Sequence, residues 1–138
     1  YLDRAVLTER PRAYFFVSHV HADHFHPDIF RFADAAADAG IRFASEVFAD
    51  RAYEADGSLR ARKLENSMIT DEDLAVERVI KMVQTGKVTA YTGEEIDIEA
   101  HSVCVHGDSE KALVFVQKLN EAFGKNDIKT VDLIEAIE

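Results

Sequence analysis

The chain has 138 residues, about the size of one ordinary domain, and its 47% apolar content is enough to build a core. Its 26 acidic residues against 16 basic ones give a formal charge of −10, which argues against a nucleic-acid binder, since such a protein needs a basic face. No apolar run approaches the ~20 residues of a membrane span. The single cysteine, Cys104, excludes an internal disulfide and suits a reducing cytoplasm.

The first half of the chain predicts two strands and a helix between them. Residues 13–20 (AYFFVSHV) are aromatic and β-branched, which indicates a buried strand. A helix follows Pro27 and ends at Gly40. Residues 41–49 (IRFASEVFA) predict the second strand, and residues 50–62 a long polar loop with a turn at Asp56-Gly57.

The second half repeats this alternation. Thr70 is the expected N-cap of a helix that ends at Gly86. A small hairpin is expected around Thr92-Gly93, a short strand over residues 102–105, and a helix from Ser109 to Gly124. Residues 128–137 are expected to hold a short strand and a short helix. The expected buried faces of the two helices are Leu74, Val76, Val79, Ile80 and Val83 on the first, and Ala112, Leu113, Val116, Leu119 and Phe123 on the second.

This alternation of strands and helices predicts an α/β fold, in which functional residues follow the ends of the strands. Charge and histidine content also divide the chain. Residues 1–32 hold four acids and four bases, so all of the excess negative charge lies in residues 33–138, whereas four of the six histidines fall within residues 19–26. We therefore expect an N-terminal segment, 1–32, that differs in kind from the rest and need not be related to it.

The N-terminal segment contains the pattern HxHxDH. His19 and His21 point to one side at the end of the predicted strand and can share a metal ion, while Asp23 and His24 can hold a second. Zn²⁺ or iron suits these ligands, and two metals would generate a hydroxide nucleophile. The pattern resembles the first metal motif of the metallo-β-lactamase-fold hydrolases over residues 10–32. The alternative is a solvated turn, or an isolated fragment of the motif without a working metal site.

The remainder resembles a different family. The matching stretches are residues 40–53 (GIRFASEVFADRAY), residues 56–59 with Arg62, and the run 77–119, which includes HGD at residues 106–108. From residue 33 onward the chain is similar to the LamB/YcsF family, the A component of the prokaryotic ATP-dependent 5-oxoprolinase. The N-terminal half of that family is replaced here by a different segment.

The resemblance implies a partial (β/α) barrel of the glycoside hydrolase and deacetylase type, C-terminal half only. The implied reaction opens the lactam of 5-oxoproline to glutamate, in the cytoplasm, with ATP and Mg and with the B and C subunits. Two alternatives remain at this point: a two-metal hydrolase using Zn or Fe, and an inactive barrel fragment that associates with partners or with itself.

Three acidic or basic groups are candidates for catalysis. Glu46 lies in an apolar strand, where burial would raise its pKa and make it a general acid or base; alternatively it pairs with an arginine. Asp50 begins the loop after that strand, and His106 follows the strand 102–105. We expect the loops carrying EVFADRAY and HGD to meet at one rim, with Glu46 and His106 in one pocket.

Four further residues are candidates for binding substrate or phosphate. Arg51 and Arg62 suit a carboxylate or phosphate, unless they form structural salt bridges with Asp50. Tyr53 either hydrogen-bonds the substrate or packs on the loop. Asp108 orients His106, approaches magnesium, or caps the helix that follows.

Overall fold

The computed structural model describes residues 40, 44–106 and 112–137, and this part of the chain mixes helices and strands as predicted for an α/β protein. The elements in chain order are β1 (Glu46–Phe48), α1 (Glu72–Thr85), β2 (Lys87–Thr89), β3 (Glu95–Asp97), β4 (Ser102–Cys104), α2 (Ala112–Lys125) and α3 (Leu133–Ala136). The strand predicted at 13–20 and the helix after Pro27 fall outside the described residues.

β1 and β4 form a parallel pair, with Val47 opposite Val103 at its centre. Parallel strands require a long crossover connection, which α1 and the two short strands supply here. Val47 and Ala49 are fully buried beneath α1, consistent with the apolar run that predicted the strand. Because the two strands run in the same direction, their carboxyl ends lie at the same edge.

The loop between β1 and α1 is folded back on itself. Two antiparallel bridges close it, one between Arg51 and Met68 and one between Tyr53 and Leu59. The predicted turn is present at Gly57, whose φ of 83° favours glycine. The long polar stretch is therefore an ordered platform next to the end of β1.

α1 begins one residue later than predicted. The Oδ1 atom of Asp71 accepts hydrogen bonds from the N–H groups of Asp73 and Leu74, both at 3.0 Å, so Asp71 is the N-cap. The prediction of Thr70 as the cap is wrong because the extended backbone that a cap requires occurs at Asp71. Gly86 ends the helix in the left-handed conformation, as predicted.

The predicted hairpin is confirmed. β2 and β3 are antiparallel, with Val88 opposite Ile96. The N–H of Ala90 donates to the carbonyl of Glu94 at 2.8 Å, and Gly93 has a φ of 94° in the turn. The inner face of β2 packs on α1, so the hairpin extends the core beside the crossover.

α1 and α2 pack against each other, and α1 also contacts β1 and β2. Most of the predicted buried faces are confirmed: the predicted residues that are buried or packed against the core are Val76, Val79, Ile80 and Val83 on α1, and Leu119 and Phe123 on α2. Leu74 and Leu113, expected inside, are 47% and 69% exposed, and Val116 is 38% exposed. The residues that are buried are Ala75, Val79 and Met82 on α1, and Phe115, Leu119 and Phe123 on α2.

The C-terminal part of the chain is only partly as predicted. α2 ends at Lys125, next to the predicted stop at Gly124, and α3 is the short helix expected in the tail. Residues 126–132 contain no strand, so that expectation is wrong. Of the helices in the described ranges, none has the length and apolar character needed to cross a membrane.

Candidate active site

The residues that follow β1 and β4 meet at the shared edge of the strand pair. Phe48 lies opposite Cys104, and continuing that register by two residues brings Asp50 opposite His106. The Nδ1 atom of His106 is 2.8 Å from Oδ2 and 3.0 Å from Oδ1 of Asp50. The parallel register thus joins two candidate residues that are 56 positions apart in the chain.

The Asp50–His106 pair has the arrangement of an oriented acid–base group. A carboxylate only accepts hydrogen bonds, so Nδ1 of His106 is the donor and carries the proton. The pair is half-buried, with 23% of the His106 side chain and 25% of the Asp50 side chain exposed. Asp50 therefore holds the ring in one orientation and stabilises the charge that it gains on protonation, which makes His106 suited to moving a proton.

A cavity of about 260 Å³ opens beside this pair. Its polar groups are supplied by Asp50, His106, Thr70 and Glu72, and the rest of its wall is largely apolar. Such a cavity, apolar with a few converging polar groups, is typical of a small-molecule site. The remaining lining residues are Ala49, Met68, Ile69, Ala75, Val105, Ala112 and Phe115.

A cation from α2 balances the acidic side of the cavity. The Nζ atom of Lys118 lies 3.0 Å from Oε2 of Glu72 and 3.0 Å from Oδ1 of Asp73. Hydrogen bonds to Asp73 and then to Glu72 raise the pKa of Lys118. The contact ties the start of α1 to α2 and offsets the negative charge of Glu72 at the cavity wall.

The two candidate arginines have different surroundings. Arg51 is only 5% exposed, and its Nη2 atom donates to the carbonyl of Arg60 at 2.6 Å, so it braces the loop and does not line the cavity. Burial, with a contribution from the charge of Arg62, lowers the pKa of Arg51. Arg62 is exposed, and its Nη2 atom lies 3.2 Å from Nε2 of His106. The structure therefore brings Arg62, and not Arg51, to the Asp50–His106 pair.

Tyr53 and Glu46 also lie away from the cavity lining. The Tyr53 hydroxyl accepts a hydrogen bond from the N–H of Phe48 at 3.0 Å, and the side chain is buried, which agrees with the packing alternative. Glu46 opens β1 opposite Ser102, about 13 Å along the strand from Asp50 at ~3.3 Å per residue. The expectation that Glu46 shares a pocket with His106 therefore differs from the structure.

The other candidates fall outside the described residues. These are Asp108 and the four residues of the HxHxDH pattern, His19, His21, Asp23 and His24. Over residues 44–106 and 112–137, no group of three or more His, Cys, Asp or Glu side chains is arranged to hold a metal ion.

Sequence reasoning did not identify two polar residues of the cavity, Thr70 and Glu72. Thr70 precedes the N-cap Asp71, and Glu72 is the first residue of α1, where acidic residues are explained by the helix dipole alone. One signal was available in the sequence. The loop that begins with Asp50 leads directly into this helix, so the start of the helix could be expected near Asp50. The pairing of Glu72 with Lys118 depends on tertiary packing, so it could not be predicted from the sequence.

A known protein family matches the whole of the described region. The profile of the LamB/YcsF family matches residues 22–138, which include Asp50, Arg62, Glu72 and His106. The chain belongs to the LamB/YcsF family.

Relatives of this LamB/YcsF chain have been named in several bacteria. A protein of Campylobacter jejuni, named as the A component of 5-oxoprolinase, is 55% identical over 96 residues, which are 70% of this chain and 38% of that protein. A protein of the same name from Alkaliphilus metalliredigens is 51% identical over 94 residues, 68% of this chain and 37% of its own length. The chain thus spans less than two fifths of the length of these relatives.

A solved structure shares the fold. The lactam utilization protein from Thermus thermophilus superimposes with a TM-score of 0.63 at 33% identity, over 70% of this chain and 38% of that protein. This similarity supports the α/β arrangement described above.

Proposed function

We propose that this LamB/YcsF chain takes part in opening the lactam of 5-oxoproline to glutamate, as the A component of an ATP-dependent 5-oxoprolinase with B and C subunits. The observation that carries the proposal is the Asp50–His106 pair, joined at 2.8 Å at the wall of a small cavity. Relatives named as the A component of 5-oxoprolinase supply the substrate class. A cytoplasmic location fits the need for ATP and the single cysteine.

The proposal includes the fold of the complete protein. β1 and β4 are parallel, a helix lies in their connection, and polar residues follow their carboxyl ends. These are the features of a (β/α) barrel, in which the site forms from the loops after the strands. We therefore propose that the described region is a C-terminal part of such a barrel.

The proposed chemistry uses His106 as the proton carrier. ATP would transfer its terminal phosphoryl group to the lactam oxygen, which leaves ADP and activates the carbonyl carbon. Water then adds to that carbon while Nε2 of His106 takes a proton from it, and Asp50 stabilises the resulting imidazolium. The C–N bond breaks, the lactam nitrogen takes the proton from His106, and a second water hydrolyses the acyl phosphate to the carboxylate of glutamate and inorganic phosphate.

We propose that ATP binds outside this cavity. Its volume of about 260 Å³ lies below the usual range for larger ligands, and its wall, over the described residues, contains the carboxylates of Asp50 and Glu72 but no lysine or arginine. Phosphates need cations or exposed backbone N–H groups. We therefore place the lactam in this cavity and assign none of its lining residues to the nucleotide or its Mg.

The experiment is a reconstitution. The purified chain is combined with B and C subunits of a bacterial 5-oxoprolinase, ATP, Mg and 5-oxoproline, and the release of glutamate is measured. The expected result is release that requires the chain and ATP together. Release at the same rate without the chain, or no release in the full mixture, would overturn the proposal.

A matched pair of variants makes the assay specific to the site. His106→Gln removes the proton carrier after β4, whereas His101→Gln changes the histidine just before β4, which accepts from the N–H of Ser45 at 3.0 Å. We expect His106→Gln to abolish the ATP-dependent release and His101→Gln to retain it. Equal effects of the two changes would show that His106 acts only through the fold.

A further inference from the structure

The second ring nitrogen of His106 is also engaged. Nε2 lies 3.2 Å from Nη2 of Arg62. A guanidinium only donates hydrogen bonds, and the other ring nitrogen carries the proton toward Asp50, so Nε2 contributes its lone pair to the contact with Arg62. Arg62 therefore occupies the atom that the proposed reaction uses as a base.

The surroundings of Arg62 allow its guanidinium to leave this contact. Its backbone is anchored, because the Ser67 hydroxyl donates to the Arg62 carbonyl at 3.1 Å and Ser67 is buried. Its guanidinium is exposed, and His106 is its one side-chain hydrogen-bond partner among the described residues. The head of the side chain can thus change partner without movement of the loop.

We propose that Arg62 recognises the carboxylate of the substrate and covers Nε2 of His106 until that carboxylate arrives. A guanidinium binds a carboxylate through two charge-assisted hydrogen bonds, which are stronger than one bond to a neutral imidazole. An incoming carboxylate therefore draws Arg62 away and frees the base. This inference rests on the proposed function, since it assigns the lactam acid to the same site.

The charges around the cavity agree with this role for Arg62. The carboxylate of Asp50 lies in the wall and repels an anion, whereas Glu72 and Lys118, which are 3.0 Å apart, offset each other's charge. An acid that enters the cavity is therefore best held by its carboxylate at the Arg62 side, with its ring toward His106. A lactam without a carboxylate has no means of displacing Arg62.

The first test needs no substrate. In the full chain labelled with ¹⁵N-histidine, at a pH at which imidazole is neutral, the His106 ring signals are assigned by their loss in His106→Gln. We expect Arg62→Ala to shift the Nε2 signal toward that of an uncovered ring nitrogen, and Lys63→Ala, which removes the adjacent exposed charge, to leave it in place. An Nε2 signal that is unchanged in Arg62→Ala would overturn the covering role, whatever the activity.

The second test uses two lactams as probes. 5-Oxoproline is expected to shift the wild-type Nε2 signal in the same direction as Arg62→Ala, whereas 2-pyrrolidinone, which lacks the carboxylate, is expected to leave it unchanged. Arg62→Ala should weaken 5-oxoproline binding by about 10-fold or more, with Arg62→Lys in between. If 5-oxoproline binds equally well to Arg62→Ala, the inference fails and the proposed function stands. If it binds to neither protein, both fail.

Discussion

The hydroxyl of Tyr53 accepts a hydrogen bond from the backbone N–H of Phe48 at 3.0 Å, and both residues are at most 5% exposed. The bond links the last residue of β1 to the loop that leaves it. It holds the chain on either side of Asp50, and so it supports the geometry of the candidate site from behind.

This contact predicts a pH-dependent stability. Burial raises the pKa of Tyr53 from 10.0 to about 12. The folded protein therefore keeps a proton that the unfolded chain loses between those values, so stability is complete below pH 10 and declines as the pH rises toward 12. Between pH 9 and pH 11.5 we expect Tyr53 to account for about 2 kcal/mol of lost unfolding free energy.

Urea unfolding of the wild type and Tyr53→Phe at both pH values measures this effect. At pH 9 the variant should be less stable by about 1–3 kcal/mol, because the Phe48 N–H loses its acceptor. Its stability should then fall less than that of the wild type as the pH rises. Parallel declines in the two proteins would show that Tyr53 does not titrate as described.

Cys104 is predicted to be an unreactive thiol. Burial, with the carboxylates of Glu46 and Asp50 nearby, raises the pKa of Cys104 from 9.0 to about 11. At pH 9 the thiolate fraction is then lower by about 50-fold, and alkylation by iodoacetamide should be slower by at least that factor than in the urea-unfolded chain. The single cysteine makes the signal unambiguous, and Cys104→Ser is the blank. Equal rates in the folded and unfolded chain would contradict the assignment.

The sequence predicted those features that depend on local backbone chemistry. Three of these features need a residue with positive φ, which glycine adopts readily: the end of α1 at Gly86, the turn at Gly57 and the hairpin around Gly93. The α/β alternation predicted that functional residues follow the ends of the strands, and the observed parallel pairing of β1 with β4 explains how the loops after the two strands meet. These elements were sufficient to locate His106 and Asp50.

The features that depend on packing were not predictable in the same way. Leu74 on α1 and Leu113 on α2 are apolar but 47% and 69% exposed, and helical periodicity alone does not encode which apolar residues face the neighbouring elements. Membership of a strand suggests that Glu46 lies near His106, but Glu46 begins β1, whereas Asp50 follows its end. The contact of Arg62 with His106 required the fold of the loop.

The cap of α1 gives a test of the local structure. Asp71→Ala should lower the unfolding free energy by about 1 kcal/mol, and Asp71→Ser should recover most of that loss, because a serine hydroxyl accepts the same N–H bonds. Asp132 caps α3 with the same geometry, at 3.0 Å and 3.1 Å, but α3 has only four residues. Asp132→Ala is therefore expected to lower the unfolding free energy by less than Asp71→Ala does. Urea unfolding followed by circular dichroism decides between these outcomes, and a larger loss in Asp132→Ala would contradict the account.

The central claim is that Asp50 and His106 act as one unit, and a double-mutant cycle on ATP-dependent glutamate release tests it most directly. We expect His106→Asn to lower the rate by about 100-fold or more, since it removes the proton carrier. Asp50→Asn should lower it by a smaller factor, since it removes the negative charge that stabilises the imidazolium and that keeps the proton on Nδ1. In the double variant the rate should be close to that of His106→Asn alone. A double variant in which the two losses multiply, or a His106→Asn protein with the wild-type rate, would contradict the claim.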